Sequence, residues 1–455
     1  MSAPAEPLSL RETLRRSPRR AQRWLWGAER KLRLADIADG TALGGALDSL
    51  AGASVLVRVA DPLFAAIALI ELDGVARRIV LCPPDLADAA LPDVTRRAQI
   101  DAVVTDVDLE GLDVRTARMA LPTRPLADAP AAEHTEWVMF TSGTSGPPKM
   151  VAHTLAGLTG AIGPPAGDPP IWATFYDIRR YGGLQILLRA LTGEGSLALT
   201  APHEPMAGFL ARLASRGATH ITGTPSHWRR VLMSPEAAAL SPRYVRLSGE
   251  IADQAVLDAL GARFPGVPIG HAYASTEAGV GFEVTDGLAG FPASYVGGLP
   301  QVDMRVVDGS LQLRSQRTAG GYVGQDDVLL DTDGFVDSGD MVELRGDRYY
   351  FVGRRNGVIN IGGLKVHPEE VEAVINRHPA VRMSLVRGRR NPITGALVIA
   401  DVVLNDPATD EATLKREILE GCRASLPAHK APTALRFIPA LAMTAGGKLE
   451  RGCAV

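Results

Sequence analysis

Ser54-Val-Leu-Val-Arg-Val59, Pro62-Leu-Phe-Ala-Ala-Ile-Ala-Leu-Ile-Glu-Leu72 and Arg78-Ile-Val-Leu81 form the stretch on which the fold turns. Two short β-branched runs flank a segment that is apolar at helical spacing. That order reads as a strand, a crossover helix and a second strand of a parallel sheet. Ala102-Val-Val-Thr105 continues the alternation. A second series runs from Trp172 to Ala274, with buried-strand candidates at Ser196-Leu-Ala-Leu-Thr200, Thr219-His-Ile-Thr222 and Tyr244-Val-Arg-Leu247.

After Phe291 the texture changes to short strands parted by Gly and Asp turns: Asp303-Met-Arg-Val-Val307, Ser310-Leu-Gln-Leu-Arg314, Met341-Val-Glu-Leu344 and Arg348-Tyr-Tyr-Phe-Val352. These predict a small antiparallel sheet or barrel. The turn-rich Gly353-Arg-Arg-Asn-Gly357 follows, then a strand, a helix and two more strands. Proline and two acids make His367-Pro368-Glu369-Glu370 a helix start. The expected class is α/β: a large N-terminal lobe of βαβ sheets with a small antiparallel β-subdomain, then a small, mobile α+β C-terminal domain. The expected boundaries are 1–34, 35–355 and 356–455.

The bulk numbers agree. A chain of 455 residues exceeds one hydrophobic core. With 46% hydrophobic and 22% charged residues it reads as a globular enzyme, and a net charge of −3 gives no general attraction to nucleic acid. Cys82, Cys422 and Cys453 are scattered without CxxC spacing, so neither a disulfide framework nor a structural zinc is expected, and a reducing cytoplasm is the expected home. No run reaches the roughly 18 apolar residues of a membrane span. The first 34 residues hold Arg15-Arg16, Arg19-Arg20 and Arg30-Lys31 around Trp24 and Trp26. No apolar segment of an export signal follows them, so they read as a basic arm on the surface.

Phe140-Thr-Ser-Gly-Thr-Ser-Gly-Pro-Pro-Lys149 follows the apolar Trp137-Val-Met. Small residues let backbone N–H groups approach a phosphate closely, and a lysine adds a point charge. The spacing is not that of a Walker A loop, and such a run read alone is also what a flexible loop looks like. Three further motifs follow in order: Tyr273-Ala-Ser-Thr-Glu-Ala-Gly279; Ser338-Gly-Asp340 with Gly353-Arg354 and Ile359-Asn-Ile-Gly-Gly-Leu-Lys-Val-His-Pro-Glu-Glu-Val-Glu372; and Met443-Thr-Ala-Gly-Gly-Lys-Leu-Glu-Arg451.

Together these resemble the adenylate-forming superfamily of acyl-CoA synthetases, non-ribosomal peptide adenylation domains and firefly-type luciferases. The resemblance covers Ala35 to the end. It implies ATP-dependent activation of a small carboxylic acid as acyl-AMP, with Mg2+, and transfer to coenzyme A or a carrier protein; a homodimer stays open. By resemblance, Thr141, Ser142, Gly143, Thr144, Ser145, Gly146 and Lys149 wrap the β- and γ-phosphates. Thr276 contacts the α-phosphate, Glu277 holds Mg2+, and Tyr273 stacks on adenine. Gly249 and Glu250 fall where relatives line the adenine pocket. Asp340 takes the ribose hydroxyls, and Arg354 reaches ribose or phosphate. Lys448 bridges the substrate carboxylate and the α-phosphate. Gly363 lets pantetheine pass after the C-terminal domain rotates, and Asn356 stands at the hinge.

The acyl pocket is expected along Trp172–Leu184 and Gly223–Trp228, with Tyr176, Asp177, Arg179, Gly182 and Thr224 as lining residues. Arg179 suggests recognition of a second polar or anionic group on the acid, or else a brace for its own loop. Asp177 raises the rival reading of an aspartate that binds an amino group. Relatives often carry glycine where Met150 stands, and the segment before Ala35 is shorter than in larger members.

Overall fold

The computed structural model describes residues 8–107, 114–121, 124–126, 134–141, 149–164, 167–201, 203–361, 364–391, 395–406, 410–444 and 448–451. The opening stretch folds as its pattern dictates. Strands Ser54–Arg58 and Arg78–Leu81 pair in parallel, and helix Pro62–Leu72 crosses between them. Asp61 caps that helix through Leu63 N, and Pro62 opens it. Every residue of the helix is buried, as befits one that is apolar all round.

Two large sheets enclose this core. The seven-stranded sheet runs Gly321–Tyr322, Met150–Thr154, Glu136–Phe140, Arg78–Leu81, Ser54–Arg58, Ala102–Thr105, Arg115–Arg118. The eight-stranded sheet runs Gly279–Val284, Ile269–Ser275, Tyr244–Ser248, His220–Gly223, Ile171–Thr174, Ser196–Leu199, Trp24–Trp26, Lys31–Arg33. Its strands from Ile269–Ser275 to Trp24–Trp26 are parallel, with an antiparallel strand at each edge. Helices Pro62–Leu72 and Tyr181–Thr192 share one apolar cluster with residues of both sheets. A five-stranded antiparallel sheet follows, built from the four strands expected after Phe291 plus Phe291–Pro292.

The chain then turns through Arg355–Gly357, which contains Asn356, into a separate core that begins at Ile359. There helices Pro368–Ile375 and Glu411–Ser425 pack on the three-stranded sheet of Val381–Asn391, Gly395–Leu404 and Ala434–Phe437.

The N-terminal residues correct the sequence reading, because residues 8–34 are not a surface arm. Leu10 and Leu14 of helix Leu10–Arg16 are fully buried, and Trp24–Trp26 extends the parallel sheet beside Ser196–Leu199. Two of its arginines, Arg11 and Arg23, are buried and consumed internally, while Arg16, Arg19 and Arg30 stay exposed. Arg11 donates to the carbonyls of Ile37, Ala38 and Gly40, the last at 2.7 Å, and Arg23 donates to Ala190, Leu191 and Gly195 at 2.8, 2.7 and 2.9 Å. Both guanidiniums therefore satisfy carbonyls left free at helix C-termini, where cations are favoured. Burial of Asp73, which accepts from Leu10 N and Trp137 Nε1, raises its carboxyl to about 6.

Candidate active site

In parallel sheets, ligands gather at the carboxyl ends of the strands. Here three neighbouring ends deliver motif residues. Strand His220–Gly223 runs into Thr224, which caps helix Pro225–Leu232 in a reciprocal capping box with His227. The His227 ring stacks on Phe175 at 5.2 Å, and burial lowers its pKa to about 3, so it stays neutral. Strand Tyr244–Ser248 ends at Gly249, and strand Ile269–Ser275 ends at the Thr276-Glu277 turn.

Gly249 is required twice. Its φ of +85° lies in the left-handed region, and a Cβ there would come within 3.3 Å of Lys448 Cε and 3.8 Å of Thr224 Cγ2. The C-terminal lysine thus reaches across to the strand ends. Its loop is closed by the bridge between Met443 and Leu449 and by Thr444 N donating to Lys448 O at 2.8 Å, reinforced through Thr444 Oγ. Arg451 makes a bidentate pair with the buried Glu372 of helix Pro368–Ile375, at 2.9 and 2.6 Å. The motif frame around Lys448 is therefore a loop closure and an anchor.

Glu250 spans the two domains. One carboxylate oxygen accepts from Ser226 N at 2.9 Å, the other from Leu449 N at 3.0 Å. Glu250, expected to line an adenine pocket, forms a strap between the start of helix Pro225–Leu232 and the lysine loop. Lys448 keeps contact with solvent. Surrounding protein nevertheless lowers its pKa by desolvation, helped by Arg354 and opposed by Glu250 and Asp340.

Asp340 accepts from Tyr273 Oη at 2.7 Å and from Arg354 Nε at 2.9 Å, and its own N donates to Ser338 Oγ. Arg354 reaches it from the last residue of strand Arg348–Arg354, beside the interdomain turn. The Tyr273 ring, expected to stack on adenine, lies nearly parallel to Phe351 at 5.1 Å and Phe282 at 5.6 Å. Its contact with the motif residues is made through the hydroxyl that orients Asp340.

Among the described residues, the Glu277 carboxylate makes no ion pair; burial raises its pKa, while Arg354 and Lys448 are near enough to oppose that rise. The turn is braced from behind. Ala319 N donates to Glu277 O at 3.0 Å, and His153 Nε2 lies 2.7 Å from Thr276 O. A carbonyl accepts only, so the proton sits on Nε2. Burial takes His153 to about 4, which keeps the ring neutral. Motif reading missed His153. Its signal is position alone, at the end of the strand that follows the phosphate loop.

That loop bridges the hairpin of Glu136–Phe140 and Met150–Thr154, whose base is closed by Thr141 N donating to Lys149 O at 3.0 Å. Ser142, Gly143, Thr144, Ser145 and Gly146 lie outside the described residues, as does Gly363. Lys149 is half-exposed, paired with Asp327 at 2.6 Å and 4.9 Å from the Tyr322 ring centroid.

Two pocket residues are corrected. Arg179 is 2% exposed and forms a bidentate pair with Asp177, at 2.8 and 2.6 Å, while also donating to the carbonyls of Val59 and Ala60. Its guanidinium is spent on its own loop, and Asp177 has no charge left for an amino group. Tyr176, Gly182 and Thr224 do share a neighbourhood. Tyr176 Oη donates to Ser248 O at 2.9 Å, a Cβ on Gly182 would lie 3.7 Å from the Tyr176 ring, and Thr224 is fully buried beside Gly249.

The chain belongs to the AMP-binding enzyme family of adenylate-forming enzymes: it matches the AMP-binding enzyme domain over residues 51–323 and the AMP-binding enzyme C-terminal domain over residues 370–448. Among curated proteins it is similar to 2-succinylbenzoate–CoA ligase of Bacillus cereus, 26% identical in an alignment of 385 residues that covers 78% of each chain. It is also similar to p-hydroxybenzoic acid–AMP ligase FadD22 of Mycobacterium tuberculosis, 28% identical over 70% of this chain and 48% of that one. Its fold is that of a variant of E. coli MenE with bound OSB-AMS, with a TM-score of 0.77, 22% identity and coverage of 92% and 93%. It also matches the anthranilate CoA ligase AuaEII in complex with anthranoyl-AMP, with a TM-score of 0.80, 17% identity and coverage of 99% and 97%.

Proposed function

We propose that this chain joins a carboxylic acid to the thiol of coenzyme A through an acyl-AMP intermediate, using ATP. A carboxylate oxygen attacks the α-phosphorus, the bond between the α-phosphorus and the bridging oxygen to the β-phosphate breaks, and pyrophosphate leaves. A thiolate then attacks the acyl carbon, the C–S bond forms, the acyl C–O bond breaks, and AMP leaves.

The observation that carries this reading is Lys448 seated over Gly249, beside Thr224 and across from the Thr276-Glu277 turn. An ammonium there offsets repulsion between two approaching anions, and in this reading the Thr276 hydroxyl donates to an α-phosphate oxygen. Asp340, oriented by Tyr273 and Arg354, offers acceptor oxygens to ribose hydroxyls. Lys149 and the loop before it take the outer phosphates.

Glu277 suits a magnesium ion, since it is a partly buried carboxylate without an ion pair among the described residues. Mg2+ is bound through one or two carboxylates plus substrate phosphates, and when bound it neutralises phosphate charge. The second half-reaction requires the lysine loop to leave, with the C-terminal domain turning at Asn356 and Gly363 admitting the pantetheine arm. Among the described residues no helix is long and apolar enough to cross a membrane.

Pyrophosphate release across a panel of acids, followed by addition of coenzyme A and then of a carrier protein, tests the reading. Acid-dependent release with thioester formed on coenzyme A supports it. Thioester on the carrier alone assigns a different acceptor, and silence with every acid sinks it.

A further inference from the structure

With Arg179 consumed by Asp177, any recognition of a second charge on the substrate must come from elsewhere. The structure offers a buried polar cluster directly behind the catalytic turn. Helix Tyr181–Thr192 sets Tyr181, Gln185 and Arg189 on one face at four-residue spacing. Strand Tyr244–Ser248 sets Tyr244, Arg246 and Ser248 on one face, and Tyr176 from the loop before the helix already reaches Ser248 O on it. Glu283 of the neighbouring edge strand accepts from Arg246 Nε at 3.0 Å and from Tyr244 Oη. His153, which braces Thr276, lies 5.7 Å from the Tyr181 ring.

This cluster is incompletely satisfied. Arg246 Nη2, Arg189 Nε, Gln185 Oε1 and His153 Nδ1 are buried atoms without a hydrogen-bond partner, and Arg246, Gln185 and His153 are 5%, 2% and 3% exposed. Buried polar groups ordinarily find partners, so four orphans together call for an occupant. The charge is also unbalanced. Arg189 is drawn down to about 10, by burial first and then by Arg246, with Glu283 opposing. Among the described residues Glu283 pairs with Arg246 alone, and Arg189 donates to Ala161 O at 3.3 Å without an ion pair.

We propose that the activated acid carries a second carboxylate, received by Arg189 and Arg246 beneath the Thr276-Glu277 turn. This rests on the acyl-adenylating reading above and names the class of acid it takes. A planar carboxylate matches guanidinium donors and supplies the missing negative charge. Reach fits as well. Arg246 stands two residues, about 7 Å of strand, below Ser248, and Lys448 sits over the next residue, Gly249. That spacing suits a short aliphatic or aromatic dicarboxylic acid, with one carboxylate at Lys448 and the other at the arginines.

The test is acid-dependent ATP–pyrophosphate exchange by the full chain with matched pairs: butyrate against glutarate, benzoate against phthalate and isophthalate. The expected result is a higher kcat/KM for a diacid than for its partner, carried by KM. In Arg189→Met that ratio falls by roughly 10- to 10²-fold, the scale of one charge-assisted hydrogen bond. Arg246→Lys, which keeps the charge but loses the fork, lowers it as well and serves where Arg189→Met melts early. Wild-type preference for the monoacids overturns the inference, and so does an unchanged ratio in a folded variant. Exchange with no acid at all fails the acyl-adenylating reading itself.

Discussion

The two halves of the candidate site are held in different ways. Gly249, Thr276 and Asp340 sit on or at the ends of strands, with large apolar clusters behind them. Lys448 sits on a short loop that, among the described residues, meets the N-terminal lobe through a hydrogen bond from Leu449 N to Glu250 and is tied to its own domain by Arg451 on Glu372. A half held by buried apolar area cannot move without unfolding. A half held by polar contacts such as Glu250 to Leu449 and Arg345 to Glu370 can detach and reseat. The arrangement therefore suits a catalyst that needs its lysine for one step and must withdraw it for the next.

Three substitutions separate these roles, and the largest effect falls on the anchor. Arg451→Met leaves Glu372 buried without its cation, which costs about 3–5 kcal/mol. Glu372 is already raised by desolvation and held down by Arg451, so in the variant the loss is greatest at high pH, where the stranded carboxyl must ionise, and shrinks as pH falls and it takes a proton. Thermal unfolding between pH 5 and 8 reads this, and a pH-independent loss would break the assignment.

Next comes Lys448→Ala, expected to slow adenylation by roughly 10²–10³-fold, the scale of one preorganised charge. Thioester formation from supplied acyl-AMP should survive. Equal loss in both half-reactions would mean that the lysine serves the fold. Smaller again is Glu250→Gln, which weakens the seat of the lysine loop. A drop of about tenfold in adenylation with thioester formation unchanged or faster sharpens the comparison, whereas equal slowing of both makes Glu250 a brace of the N-terminal lobe.

Much of this was legible in the sequence because it depends on period and motif. The strand at Ser54, the all-apolar helix at Pro62 and the four antiparallel strands after Phe291 follow from alternation that local burial enforces. The motifs at Tyr273, Asp340 and Lys448 named residues that the fold brings together. The failures have a common cause. Arg11, Arg23 and Arg179 read as solvated or substrate-facing charges, yet each is buried against carbonyls supplied by residues distant in the chain. A guanidinium's partners are tertiary, so no local window reveals them. The same holds for Glu250, whose two partners lie 24 and 199 residues away.

The smallest expected effect joins the two halves through a proton. In the proposed reaction, adenylation needs Lys448 charged. Its pKa is lowered by the surrounding protein and by Arg354, so the alkaline limb of the adenylation rate should lie below the ordinary lysine range. Glu250 and Asp340 oppose that lowering by favouring the ammonium. Replacing Glu250 by Gln removes one of these negative charges, the pKa falls further, and the alkaline limb moves to lower pH. Lys448→Ala removes the titrating group, so its residual rate should lack this limb. A limb that stays in place in Glu250→Gln while adenylation falls would show that the carboxylate acts only by holding the loop, and a limb that moves shows that the fixed half also sets the charge of the lysine it receives.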